Sequence, residues 1–242
     1  MNKLLLIQPP RSREKLTAAL ELAGVSYTQH SFIQITEVAS SITDLTTADA
    51  IIWVSKNAVM FAKAQRLQLP DKVAMYAVGP STARLASKQF NKPCECPTFV
   101  HSSEALLKLP ELQQLTNQQW FIVKGIGGRT LLADTLTARG ANITDVMVYQ
   151  RTKKPLKDTA IVQDWKQHID TIAISSAEQL AFFISELDHD ALAWLERCHW
   201  IVPSERLAAL LPFCKADNIT ITQSASENAM INALINNGSN YD

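Results

Sequence analysis

The chain has 242 residues, and its 23 Lys and Arg are balanced by 23 Asp and Glu, so the formal net charge is zero. This length suits one large domain or two small ones, and 47% hydrophobic with 19% charged residues excludes a disordered chain. A neutral chain carries no basic excess, so we expect no nucleic-acid partner. The first apolar run, Leu4–Ile7, is too short for a signal peptide or a membrane-spanning helix, so we expect no membrane association and a cytoplasmic location.

The cysteines do not indicate a disulfide framework or a metal site. Four cysteines are too few for disulfide bonds to be the main stabilisation of a chain of this length. Cys94 and Cys96 have the spacing of a ligand pair, but no second pair or nearby histidine completes a site. We therefore expect no metal.

Short apolar runs predict buried strands along the whole chain. Each run is followed by a polar or Gly/Pro turn and then by a stretch with helical spacing. Strands that alternate with helices predict an α/β fold with open, doubly wound parallel sheets. The runs are Leu4–Ile7, Ile51–Val54, Val73–Val78, Phe121–Val123, Thr171–Ile174, Trp200–Val202 and Ile219–Ile221.

Segments from the two halves of the chain resemble each other in sequence. Asp49–Ser55 is similar to Asp170–Ser176, and the Pro-Ser pair that begins a helix at Pro80 recurs at Pro203. The preserved order favours two similar half-proteins of four or five strands each. The alternative is that all strand–helix units look alike, because each needs a buried strand and an amphipathic helix.

Two extended segments, Thr28–Val38 and Asn142–Lys154, interrupt the alternation of strands and helices. They are either edge strands of two domains or a paired connection between them. A two-stranded hinge would leave a cleft between two α/β lobes, which is a common location for small-molecule sites.

The glycine-rich loop from Lys124 to Arg129 is the sharpest local motif. It holds three of the seven glycines of the chain, between a predicted strand and a predicted helix. The backbone N–H groups at Gly127 and Gly128, with the charges of Lys124 and Arg129, could bind an anion. The spacing matches neither a dinucleotide fingerprint nor a P-loop. A plain tight turn is an equally good interpretation.

Hydroxyl side chains follow most of the predicted strands. For any one of them, capping a helix is the more common role. As a group, they would surround one rim and bind a ligand that carries many carboxylates. Lys56, Asn57, Arg11 and Arg206 would add charges and an amide to this rim. The hydroxyl residues are Ser55, Ser81, Thr82, Ser102, Ser103, Ser175, Ser176 and Ser204.

The usual catalytic motifs are missing, and Tyr149 is the notable candidate acid. A phenol can donate a proton to a leaving oxygen. The competing interpretation is an aromatic strand residue that packs in a core.

Taken in order, short motifs across nearly the whole chain resemble the uroporphyrinogen-III synthase family. The matching segments are Asp49–Val59, Ala77–Ala83, Ser102–Leu107, Gly127–Arg129, Arg139-Gly140, Val148-Tyr149 and Val202–Arg206. The resemblance implies two flavodoxin-like α/β domains joined by a two-stranded β linker. Residues 1–35 with 153–242 would form one domain and residues 38–150 the other, with linker strands at about 28–38 and 142–154.

The resemblance also implies a reaction. Hydroxymethylbilane, a linear tetrapyrrole, would lose water and close into uroporphyrinogen III with inversion of its last pyrrole, a carbon–oxygen lyase step in haem biosynthesis that uses no cofactor. Tyr149 matches the family tyrosine suggested to assist departure of the hydroxyl, and the hydroxyl and glycine residues above would line the cleft.

A monomer that takes its substrate from hydroxymethylbilane synthase in a transient hand-over is also implied. Gln8-Pro9-Pro10-Arg11 departs from the family's turn after the first strand, which shifts Arg11. The alternative function is a non-catalytic, two-lobed binding module for an anionic small molecule.

Overall fold

A computed structural model describes residues 3–9, 14–40, 45–222, 224 and 226–236. The first half contains β1 (Lys3–Ile7), α1 (Glu14–Leu22), β2 (Tyr27–His30), β3 (Ile33–Glu37), β4 (Ala50–Trp53), α2 (Lys56–Ala64), β5 (Ala74–Ala77), α3 (Pro80–Phe90), α4 (Ser103–Leu106) and β6 (Gln119–Gly125). The second half contains α5 (Leu131–Ala138), β7 (Asn142–Lys153), α6 (Ala160–His168), β8 (Ile169–Ile174), α7 (Ala177–Ile184), α8 (Leu192–Arg197), β9 (His199–Val202), α9 (Glu205–Ala208), β10 (Ile219–Ile221) and α10 (Glu227–Asn236). Short 3₁₀ turns cover Pro110–Leu112, His189–Ala191 and Ala216–Asn218.

The contacts of the backbone divide the chain into two compact units. The terminal unit combines Met1–Gln34 with Lys153–Asp242, and the central unit is Ile35–Thr152. The chain passes between the units twice, once within β3 and once near the end of β7.

The terminal unit is built on a five-stranded sheet with the order β10-β9-β8-β1-β2. β1 pairs in parallel with β2 and with β8, so that Leu5 lies beside Thr28 on one side and Ile172 on the other. Alternate side chains of β1 enter separate cores on the two faces of the sheet, Leu5 in one and Leu4 in the other. Because both faces are covered, Leu4–Ile7 is apolar at every position.

The central unit repeats this architecture with the order β3-β7-β6-β4-β5. Ile51 and Trp53 of β4 pack with α2 and α3 on one face, whereas Ile52 packs with α5 on the other. The predicted α/β class with parallel, doubly wound sheets is confirmed, and each of the predicted apolar runs contributes to a strand.

The two extended segments have different structures. Thr28–Val38 contains two strands, β2 and β3, which lie at the edges of the terminal and central sheets. The chain leaves β2 at Ser31, and Phe32 is fully buried in a terminal-unit core. Asn142–Lys154 contains a single long strand, β7, which lies inside the central sheet between β3 and β6.

None of the helices in the described ranges is long and apolar enough to cross a membrane. Cys94 and Cys96 are half-buried, and burial raises the pKa of the Cys94 thiol to about 12. Across the same ranges, no three His, Cys, Asp or Glu side chains are grouped as metal ligands.

Candidate active site

Tyr149 lies in β7 at a point where the regular alternation of the strand is broken. β6 and β7 pair in parallel, but the register shifts so that Lys124 faces Met147 while Gly125 faces Tyr149. Val148 is the extra residue, and it packs in the same core as Tyr149, although neighbours in a regular strand point to opposite faces. Such irregularities often redirect a side chain beside a functional site.

The ring of Tyr149 lies directly against the backbone of Gly125. A β-carbon built on Gly125 would be 2.5 Å from Cε2 and 2.7 Å from Cζ of Tyr149, which is too close for any side chain. Phe61 of α2 stacks on the same ring, with centroids 5.9 Å apart and 24° between the planes. These two contacts fix the plane in which the phenol lies.

Ser55 holds the hydroxyl end of Tyr149. Its Oγ is 3.1 Å from the Tyr149 oxygen, and either group can donate the hydrogen bond. Ser55 is also the N-cap of α2, where its Oγ accepts from the N–H of Ala58 at 3.1 Å. The capping role and the site role considered for Ser55 are therefore compatible.

Tyr149 and Ser55 line a cavity of about 380 Å³ within the central unit. Its walls come from the carboxyl ends of β4, β5 and β6, which is where ligands bind in doubly wound sheets. The predicted site residues that it brings together are Ser55, Ser103, Lys124, Gly127, Gly128, Arg129 and Tyr149. Its other lining residues are Val54, Val78, Ile122, Gly125, Ile126, Leu132, Ala133 and Arg151.

The three cations of this cavity differ in their partners. Lys124 Nζ is 2.8 Å from Asp145 Oδ2, so its charge is already partly compensated. Arg129 is exposed and pairs with Glu104. Arg151 is exposed and has no ion pair with a residue that the structure describes. Its guanidinium is therefore the most available to a carboxylate ligand.

Other predicted site residues of the central unit lie outside the cavity lining: Lys56, Asn57, Ser81, Thr82 and Ser102. Lys56 and Asn57 begin α2, and the side chain of Thr82 is buried in α3. Ser102 caps α4. The carboxylate of Glu104 accepts hydrogen bonds from the backbone N–H of Glu104 itself and, with a smaller effect, from Ser102. These bonds lower the pKa of Glu104, which keeps the carboxylate charged beside Arg129.

The remaining predicted site residues belong to the terminal unit. Ser175 and Ser176 follow β8, Ser204 follows β9, and Arg206 is exposed in α9. Ser176 and Ser204 cap helices, each accepting from the N–H three residues further on, at 3.3 and 3.4 Å. Arg11 lies outside the described residues.

Gly125 and Arg151 belong to the site but are not among the residues predicted from the sequence. Arg151 follows Tyr149 by two residues, so the two-residue period of a strand could have placed both on one face. Gly125 belongs to the glycine-rich loop that was singled out. Its close approach to Tyr149 depends on the pairing of β6 with β7, which no local motif reveals.

Comparison with known proteins agrees with this architecture. The family model for uroporphyrinogen-III synthase HemD matches residues 14–232. The uroporphyrinogen-III synthases of Salmonella typhimurium and Escherichia coli are 31% and 30% identical to the chain, and each alignment covers 96% of this chain and 99% of the relative. The structure of uroporphyrinogen-III synthetase from Helicobacter pylori shares the fold, with a TM-score of 0.64, 15% identity and coverage of 98% of this chain and 99% of that chain. The chain described here belongs to the uroporphyrinogen-III synthase family.

Proposed function

We propose that this chain is a carbon–oxygen lyase that cyclises hydroxymethylbilane, with loss of water and inversion of the last pyrrole ring, to give uroporphyrinogen III. Membership of the family supports the uroporphyrinogen-III synthase activity and its place in haem biosynthesis. The observation that supports the mechanism is the Tyr149 phenol, which lines the cavity with its oxygen 3.1 Å from Ser55 Oγ.

The proposed step begins with cleavage of the bond between the terminal methylene carbon and its hydroxyl oxygen. The electron pair of that bond leaves with the oxygen, and the adjacent pyrrole nitrogen stabilises the cation that remains. Tyr149 gives its proton to the departing oxygen, which leaves as water. The cationic methylene carbon bonds to the substituted α-carbon of the last pyrrole, which gives a spiro intermediate, and the older bond from that α-carbon to its methylene bridge then breaks. The freed methylene carbon bonds to the other α-carbon of the same ring, which inverts the ring, and the proton that this α-carbon loses returns to Tyr149.

Ser55 prepares Tyr149 for this role. Because Ser55 Oγ accepts from the N–H of Ala58, its own hydrogen is free to donate to the Tyr149 oxygen. In that arrangement the phenolic hydrogen points away from Ser55 and is available to the substrate. The hydrogen bond that Tyr149 receives also stabilises the phenolate that forms when the proton leaves.

The substrate carries acetate and propionate arms, and the cavity offers two kinds of group for them. Gly127 and Gly128, at φ values of +78° and +91°, carry no side chain that would shield their N–H groups. Arg151 presents a guanidinium that forms no ion pair with any residue in the described ranges, two residues beyond Tyr149. We propose that these groups orient the substrate, since holding one geometry is what separates the type III product from the uncatalysed type I product.

The organisation of the protein is part of the same proposal. The terminal and central units would be the two domains of the enzyme, and β3 and β7 would be the linker. We propose that the enzyme acts as a monomer and receives its substrate from hydroxymethylbilane synthase. Sedimentation of the purified chain at working concentrations tests the monomer, because a dimer would double the mass.

The activity is tested by generating hydroxymethylbilane in situ, oxidising the products and separating the type I and type III isomers by chromatography. A type III product that depends on this chain is expected. Only the type I product, as without enzyme, would instead favour the non-catalytic binding module.

The role of Tyr149 is tested by Tyr149→Phe, which removes the hydroxyl and leaves the ring. We expect kcat to fall about 100-fold, the usual size of a lost general acid, with little change in the free energy of unfolding. Tyr76→Phe is the matched control, because Tyr76 is an equally buried tyrosine of the central unit that stacks on Trp120 and is not among the residues that line the cavity. Equal turnover of both variants would contradict a catalytic role for Tyr149.

A further inference from the structure

Gln65, the residue that follows α2, connects three separate backbone groups of the central unit. Its Nε2 donates to Val38 O at 2.8 Å and to Val148 O at 3.1 Å. Its Oε1 accepts from the N–H of Ser40 at 3.0 Å. Both amide hydrogens and the carbonyl oxygen of the Gln65 side chain thus form hydrogen bonds with the backbone of β7 and of the residues that follow β3.

The bond to Val148 falls on the irregular part of β7. Val148 is the residue of β7 that is skipped when β7 pairs with β6, and Tyr149 follows it. The carbonyl of Val148 also accepts from the N–H of Val38 at 3.1 Å. Gln65 therefore supports the backbone irregularity that turns the Tyr149 ring onto Gly125.

One helix contacts Tyr149 or its strand at three points. Ser55, at the start of α2, reaches the Tyr149 hydroxyl, and Phe61 stacks on the ring. Gln65, at the end of the helix, bonds the peptide that precedes Tyr149. Because Phe61 and Gln65 are four residues apart, they lie on the same side of the helix.

We propose that Gln65 is a positioning residue, which fixes Tyr149 by holding the Val148 carbonyl. This inference rests on the proposed role of Tyr149 in proton donation. Gln65 is not among the residues that line the cavity, so its effect on the reaction passes through the placement of the phenol.

Two substitutions test this role. Gln65→Leu removes all three bonds, whereas Gln65→Glu keeps the shape and the acceptor for Ser40 but loses both donors. We expect either variant to lower kcat about 10-fold with KM unchanged, since small misplacements of a reacting group are costly. Gln113→Leu is the matched control, because Gln113 Nε2 also donates to two carbonyls of the central unit, those of Leu107 and Leu109, far along the chain from Tyr149.

A double variant separates positioning from general support of the fold. In a Tyr149→Phe background there is no proton donor left to position, so Gln65→Leu should cause no further fall in kcat. A fall of the same size in both backgrounds, or full kcat in a folded Gln65→Leu chain, would overturn the proposal. Amide hydrogen exchange at Ser40, whose N–H donates to Gln65 Oε1, supplies a readout besides turnover and should accelerate in Gln65→Leu but not in Gln113→Leu.

The two proposals fail in different ways. If the unmodified chain makes no type III isomer, the proposed function is wrong. If the unmodified chain is active but Tyr149→Phe is equally active, the function stands, and the roles of Tyr149 and of Gln65 are both wrong. If only the Gln65 variants keep full kcat, the positioning role alone is wrong.

Discussion

At Gly125 the absence of one methyl group decides where the Tyr149 ring can lie. In Gly125→Ala the new β-carbon would require the ring to move, since the built position is 2.5 Å from Cε2 of Tyr149. We expect a loss of about 1–3 kcal/mol in the free energy of unfolding, as for other overpacked sites, together with a lower kcat.

Chemical denaturation and the isomer assay measure the two effects of Gly125→Ala. Gly79→Ala is the control for an added β-carbon without a close contact, because the new atom meets only the Cβ of His101 at an ordinary 3.5 Å. Gly79 is the N-cap of α3, so this control also carries the small cost of a poorer cap. A Gly125→Ala chain as stable and active as the unmodified chain would mean that the ring has room to shift without loss.

Among the elements, α2 combines ordinary helix capping with a contact to the candidate acid. Ser55→Ala should destabilise the protein by about 1 kcal/mol through loss of the N-cap, and should also lower kcat through loss of the bond to Tyr149. Ser226→Ala removes a similar cap from α10, where Ser226 Oγ accepts from the N–H of Ala229 at 3.2 Å.

Denaturation should therefore show a similar loss of stability in Ser55→Ala and Ser226→Ala, and the isomer assay should separate them. If kcat falls by the same factor in both variants, the effect of Ser55 is one of stability alone.

The sequence predicts the elements well because hydrophobic runs and caps are local signals. The run Ile51–Val54 and the hydroxyl of Ser55 together indicate a strand that ends in a helix cap, and the structure has both. The extra residue at Val148 leaves no such signal, since it arises only when β7 pairs with β6. Gln65 was missed for the same reason: its partners are distant along the chain.

Over the whole molecule, the two units should respond differently to acid. Burial lowers the pKa of His30 and His199 from the usual 6.5, and the charge of Lys154 adds to the effect at His30. The unfolded chain therefore takes up protons at these positions more readily than the folded chain. Their contribution to stability is complete above pH 6.5 and is lost as the pH falls from 6.5 through the lowered pKa values.

Both of these histidines belong to the terminal unit, whereas the central unit has only the exposed His101. We expect amide hydrogen exchange, compared at about pH 7 and about pH 5 after correction for the intrinsic rate, to show loosening of the terminal unit first. The double substitution of His30 and His199 by Gln should remove the difference. Equal loosening of both units would contradict this assignment.

The two sheets do repeat one architecture, but the strands that correspond in the structure are not the ones that resemble each other in sequence. In the order of each sheet, β4 occupies the place of β1, and β6 occupies the place of β8. The sequence similarity of Asp49–Ser55 to Asp170–Ser176 instead pairs β4 with β8. Similar motifs therefore arise at different places in the two sheets, because every buried strand followed by a capped helix needs the same residue types.

The route of the chain between the units has a consequence for synthesis on the ribosome. β1 is translated before the central unit, but one of its two neighbours, β8, is translated only after that unit. The central unit is continuous in sequence, so it can fold as the nascent chain emerges from the ribosome. During that time Leu4–Ile7 lacks β8, its pairing partner on one side. The strand that precedes the central unit is thus completed only by a strand that follows it, so it reaches its final environment later than the central unit does.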